Sequence, residues 1–224
     1  MAATEALTPI LPRRDAAARA QLRAAAFRAA PAMLAADRLL PVAGPLGELL
    51  PAGGLRRGST VALDGPPGAG STTVAFQLAA ATTSVGEWAA VVDPDGTMGA
   101  RAAAEHGVAL ERCAIVRHVP PDRWSTVVGA LLDGVALVVA GLPPHLRSSD
   151  ARRLTARARE RAAVLVALGS WPAEAALRLH ATARSGVTIE DGLLVTGRLG
   201  VRVEGKGVPA PAAHAHAHAH ARAG

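Results

Sequence analysis

The chain is short of several residue types. Among 224 residues there is one cysteine, Cys113, one lysine, Lys206, and no asparagine or tyrosine. A single cysteine excludes an internal disulfide and a cysteine zinc cluster. No apolar run is long or pure enough to read as a membrane-crossing helix, since Gly, Pro, Ser and Thr interrupt each one. Glu5 and the breaks at Pro9 and Pro12 argue against a secretion signal, so the expectation is a cytoplasmic protein without a membrane partner. Aromatic residues make up 2% of the chain, so aliphatic side chains must build the core. The missing lysine, asparagine and tyrosine, with isoleucine only at positions 10, 115 and 189, point to a GC-rich genome. Alanine and arginine abundance therefore carries little weight alone.

What is present is 50% hydrophobic residues, enough to exclude a wholly disordered chain, and a net charge of +6 that is unevenly spread. Residues 1–40 carry about +3, residues 41–146 about −3, and residues 147–184 about +5. A basic segment of this kind suits nucleic acid or an acidic partner, or is simply a solvated arginine face.

Length and pattern suggest one main domain with extended ends. Residues 1–40 form an N-terminal segment with an Ala-rich helix over 14–36. Residues 41–207 form the core domain, and 208–224 an Ala/His/Pro tail expected to stay disordered. In the core, short apolar strands are expected at 59–64, 87–93, 113–116, 135–140 and 164–168. Helices are expected at 71–83, 97–107, 123–132, 150–163 and 173–183, and alternating strands over 187–203. Continuous apolar strands separated by helices predict an α/β fold with a mostly parallel central sheet, helices on both faces, and antiparallel strands at one edge.

The most informative motif is Gly65-Pro-Pro-Gly68-Ala-Gly70-Ser71-Thr72-Thr73, between a strand and a helix. Such a loop holds phosphate through its backbone N–H groups and the helix N-terminus, so Gly65, Gly68, Gly70, Ser71, Thr72 and Thr73 are the candidate cofactor-binding residues. A working loop has lysine where Ser71 stands, and a magnesium-ordering carboxylate ending a later strand, where Ala140 stands. Neither charge is here. Asp95 is a vestigial catalytic candidate, and Asp93 suits a turn cap. The expected cofactor state is none, with weakly held ATP and magnesium as the alternative. On the late helix, Ala151, Leu154, Thr155, Ala158 and Ala162 mark the buried face. Arg152, Arg153, Arg157 and Arg161 are the candidate surface for a partner or nucleic acid, and Asp150 the N-cap. The three tryptophans, Trp88, Trp124 and Trp171, are expected to anchor core or loops and not to stack on bases, and Trp171, beside the shortened second loop, is the best placed of them for exposure.

Taken in order, residues 51–58 (Pro-Ala-Gly-Gly-Leu-Arg-Arg-Gly), the glycine-rich loop, residues 90–95 (Ala-Val-Val-Asp-Pro-Asp), residues 101–108, Cys113–Val116, residues 164–170 and residues 201–207 resemble the core of bacterial RecA-type recombinases. The resemblance covers roughly residues 40–207. It places Asp95 at the catalytic glutamate and Ala102 at an adenine-packing aromatic. It sets Gly169-Ser170 at the nucleotide-sensing pair, and cuts both DNA-binding loops short, to Gly141–Ser149 and Trp171-Pro172. Among RecA-like proteins, a stripped chain of this size resembles the ImuA-type accessory proteins of the mutasome, including the actinobacterial form. That implies a damage-induced, non-catalytic adaptor in translesion synthesis. Its partners would be a Y-family-like polymerase homologue, an error-prone replicative-type polymerase and RecA. A nucleotide-dependent ATPase that contacts DNA, and a basic DNA-binding module, are the alternatives.

Overall fold

The computed structural model describes residues 38–190, 193–208 and 215–218, with backbone alone for 183–190, 193–198 and 215–218. The chain divides into two units, residues 1–37 and 38–224. The expected helix over 14–36 lies in the first, outside the described residues.

A small two-stranded sheet opens the second unit: β1 (Leu39–Pro41) pairs antiparallel with β2 (Gly54–Arg56). Between them runs the six-residue helix α1 (Gly44–Leu49). Gly54 must be glycine, since a Cβ there would sit 2.4 Å from the Leu40 carbonyl oxygen. The main sheet takes β3 (Thr60–Asp64), β4 (Ala89–Asp93), β5 (Cys113–Arg117), β6 (Leu137–Gly141), β7 (Val164–Leu168), β8 (Leu177–Glu190), β9 (Leu193–Gly205) and β10 (Ala215–His218). Among the described residues its spatial order is β10-β9-β8-β3-β7-β6-β4-β5. The six strands from β8 to β5 run parallel, and β9 turns antiparallel to both β8 and β10. This is the expected α/β architecture, consistent with a RecA-like fold.

The central strands are apolar throughout because helices cover both faces. In β6, Leu137 and Val139 join one core cluster while Val138 and Ala140 join the other. β7 splits likewise, Val164 and Val166 against Leu165 and Ala167. The first cluster packs under α1, α2 (Ser71–Ser84) and α3 (Ala100–Glu105), the second under α4 (Pro121–Leu132) and α5 (Ser148–Arg161). Each buried Val or Leu contributes about 1.5–3 kcal/mol of transfer free energy, so these two layers supply most of the stability.

Three expectations are corrected. The helix expected over 173–183 is instead a short irregular stretch, 173–176, followed by the first half of β8 from Leu177. Its residues alternate Leu177, Leu179 and Ala181 inward with Arg178 and His180 outward, a period of two. Pairing with β3 and β9 therefore overrides the helix propensity of Ala and Leu. The late helix starts at Ser148, two residues before the expected cap. Arg147 takes the N-cap with no side-chain cap, and Asp150 sits in the first turn, where its charge complements the helix dipole. α3 is shorter than expected because the turn before it is held separately by Asp93, as shown below. In the tail, Ala215–His218 form β10 opposite Arg198–Val201 of β9. No helix among the described residues is long and apolar enough to cross a membrane.

Candidate functional site

The glycine-rich loop leaves the carboxyl end of β3 and opens directly into α2. Gly70 is the N-cap of that helix with φ 101°, a left-handed conformation that suits glycine. Gly65 has no room for a side chain, since a Cβ would lie 2.5 Å from the Ala181 carbonyl oxygen on β8. The loop is therefore shaped both by its own turn and by the strand passing beside it. Ala69 N–H donates to the Pro66 carbonyl at 3.0 Å, and Val74 N–H to that of Gly70 at 3.0 Å. Thr72 is exposed and Thr73 is buried. Ser71 turns back into the protein, its hydroxyl donating to the Asp64 main-chain carbonyl at 3.2 Å. The position where a phosphate-binding loop projects a cation thus holds a short hydroxyl bonded to the preceding strand.

The end of β6 is equally unlike a metal site. Ala140 is fully buried, in register with Val92 of β4 and Ala167 of β7, within the cluster that contains Trp124 and Trp171. A Cβ on Gly141 would lie 2.9 Å from Pro94 Cδ, and the Gly141 carbonyl accepts the Trp124 indole N–H at 2.8 Å. Apolar packing and a tryptophan hydrogen bond occupy the place of a carboxylate.

Asp93 and Asp95 part company. Asp93 is 1% exposed, accepts hydrogen bonds from Thr97 N–H at 3.1 Å and Met98 N–H at 2.8 Å, and lies 3.7 Å from Arg117 Nε. It caps the turn after β4. Asp95 is exposed and lines a cleft of about 520 Å³ with Leu142, His145, Gly169, Ser170 and Pro172. The shortened segments after β6 and β7 thus meet Asp95 at the carboxyl edge of the sheet, the usual ligand side of such folds.

On α5 the four candidate arginines separate into two environments. Ala151, Leu154 and Ala158 are buried, as expected. Thr155 hydrogen bonds Thr60 on β3 at 3.2 Å, so one flank faces β3 and carries the exposed Arg152 and Arg159. The opposite flank faces α4. There Arg157 Nε donates to Asp133 Oδ1 at 2.9 Å and to the Gly129 carbonyl at 3.0 Å, and its NH2 group to Asp133 Oδ2 at 2.5 Å. Arg161 Nε donates to Asp133 Oδ1 at 3.0 Å, and Arg153 pairs with Asp150 at 3.1 Å. Three of the four candidates are thus engaged within the chain, and only Arg152 has no ion pair among the described residues. Hydrogen bonds from Arg157, then the charges of Arg157 and Arg161, hold the Asp133 carboxyl below its usual range against an opposing push from burial. With its folded value depressed, Asp133 contributes stability at neutral pH, and loses it only as pH falls below the ordinary carboxylate range. Burial pushes the Cys113 thiol up, which favours its protonated form at neutral pH.

One tryptophan is placed contrary to expectation: Trp88 is 49% exposed, whereas Trp171 is 3% exposed, an anchor in the second core cluster with Ala62 and Ala167. Two polar groupings escaped the sequence reading. Asp133 meets its arginines 24 and 28 residues away, with no local spacing to signal it. Asp64 Oδ1 lies 2.6 Å from His180 Nδ1 beside the glycine-rich loop, a contact hidden by reading β8 as a helix.

Residues 48–173 match the family model of the MT3502 N-terminal domain, a stretch from within α1 to just beyond β7 that contains the loop, both altered positions and α5. No curated protein matches the chain. With more than half of its length matched, the chain belongs to the MT3502 N-terminal domain family.

Proposed function

We propose that this protein is a non-catalytic RecA-fold accessory factor that works through protein–protein contacts in the DNA damage response, in translesion synthesis of the mutasome type. The observation that carries the reading is the state of the two charged positions of nucleotide chemistry. Ser71 is bonded to the Asp64 carbonyl, and Ala140 is sealed inside an apolar cluster. Phosphoryl transfer relies almost entirely on positioned charge, and the positions of the ammonium and of the metal carboxylate hold the uncharged Ser71 and Ala140. The loop backbone keeps a shape compatible with weak phosphate binding, but the serine at its lysine position carries no charge to neutralise one developing there.

The reading names its partners by resemblance: a Y-family-like polymerase homologue, an error-prone replicative-type polymerase, and RecA. A second reading, a basic DNA-binding module, draws on the exposed Arg152 and Arg159. One binding experiment separates the two. The purified full chain is presented to each polymerase and to single-stranded DNA, with and without ATP and magnesium. The adaptor reading expects binding to at least one polymerase, changed less than about twofold by nucleotide, a difference of under ~0.5 kcal/mol. DNA binding should be weak. Tight DNA binding with a salt slope of about −0.7 per phosphate contact, and no polymerase binding, would support the DNA module instead.

A further inference from the structure

Among the described residues the exposed large hydrophobics are Val85 at 51%, Trp88 at 49% and Leu110 at 41%, and they gather in one place. Val85 follows the last residue of α2, Trp88 precedes β4, and Leu110 opens the turn before β5. β4 and β5 are parallel with Ala89 opposite Cys113, so Trp88 and the 110–112 turn share the amino-terminal edge of the sheet. Two hydrogen bonds tie the turn to the end of α2: Ala109 N–H donates to Thr83 Oγ1 at 3.1 Å, and an Arg112 guanidinium N–H to the Gly86 carbonyl at 2.6 Å. The patch therefore lies at the edge opposite the glycine-rich loop.

A groove of about 450 Å³ runs along the same helix α2, lined by Leu46, Ala80, Ala81, Ser84 and His106, and Ser84 directly precedes Val85 in the chain. Gln77 also lines this groove, and its Oε1 is buried with no hydrogen-bond partner among the described residues. A buried acceptor without a donor costs about 1–3 kcal/mol. Arg112 sits within the patch with no carboxylate at ion-pair distance among the described residues. Of the nearby acids, Glu87 is paired with Arg57 at 2.7 Å, and Glu111 is its sequence neighbour.

We infer that this edge docks a short amphipathic segment of another protein, whose apolar face covers Val85, Trp88 and Leu110 and whose carboxylate meets Arg112. The three side chains expose on the order of 300 Å² together, the size of the largest patch on a typical monomer and often functional. A standard interface buries about 800 Å² on each partner with its polar rim included, and an apolar patch of this size beside Arg112 suits the one face of a short acidic amphipathic segment. The charge on Arg112 selects an acidic residue in that segment. The inference rests on the adaptor reading and gives it a surface.

The test uses the full chain, the whole polymerase homologue, and overlapping synthetic peptides of about 15 residues spanning that homologue. Trp88→Glu and Leu110→Glu are compared with the unaltered protein, with Trp88→Ala as a milder variant should a charge disturb folding. Circular dichroism confirms that each variant is folded. The expected result is that one peptide pairing an apolar face with an acid binds, and that the Glu variants weaken the peptide and the homologue alike by about tenfold or more. Undiminished binding of the homologue by every variant overturns this surface while leaving the adaptor reading in place. Failure of the unaltered chain to bind the homologue defeats the adaptor reading and this surface with it. Concentration-dependent dimerisation abolished by Trp88→Glu would make the occupant a second copy and overturn the inference.

Discussion

Restoring the two missing charges, Ser71→Lys with Ala140→Asp, is expected to unfold the protein and not to start ATP turnover. Ala140 has no exposed surface, and its strand neighbours Val92 and Ala167 are buried on either side. An aspartate there would carry its carboxylate into apolar packing. An uncompensated buried charge costs about 3–5 kcal/mol, a large share of the roughly 5–15 kcal/mol that holds a domain together. Ser71→Lys alone should be mild, since Ser71 is half-buried at the rim and gives up one hydrogen bond worth about 1 kcal/mol. Urea unfolding of the single and double variants reads the difference. A double variant as stable as the original, and hydrolysing ATP, would show that the end of β6 can still accept a metal-ordering group.

Trp124→Ala is expected to be the most damaging single truncation. Trp124 lies in the second turn of α4, is fully buried, and packs in the cluster shared with Ala140 and Leu154. Its indole also ties α4 to the end of β6 through the Gly141 carbonyl. Loss of the side chain should cost about 3–5 kcal/mol through transfer and cavity terms. Trp124→Phe keeps most of the packing and gives up the hydrogen bond, so about 1–2 kcal/mol is expected. Chemical denaturation followed by far-ultraviolet circular dichroism separates the two. Equal, small losses in both variants would mean that the indole contact does not fix the end of β6.

The parallel part of the sheet was readable because its strands, buried on both faces, are nearly pure runs of Val, Leu and Ala between helix-forming stretches. The first half of β8 was not. Its Ala and Leu content favours a helix, and only alternation over Leu177–Ala181 records the strand, a signal too short to prevail without the neighbours that supply its hydrogen bonds. Helix α5 shows the same limit at the side-chain level. Its buried stripe follows from spacing alone. The neutralisation of Arg157 and Arg161 depends on Asp133 at the end of α4, and becomes visible only when the two helices pack. The exposure of Trp88 has a similar origin. Trp171 lies in the crossover that runs over the second core cluster, whereas Trp88 sits outside the first residue of β4. The glycine-rich loop was legible as a motif, but the turning of Ser71 toward Asp64 was not, because a serine's rotamer is set by its surroundings.

The central claim is that the fold keeps a phosphate-type loop while its nucleotide chemistry has been dismantled. Steady-state ATP turnover by the purified full chain, with magnesium and with or without single-stranded DNA, tests it most directly. The account predicts a rate indistinguishable from a protein-free control under every condition. Robust turnover that disappears in a Thr72→Ala variant would contradict it.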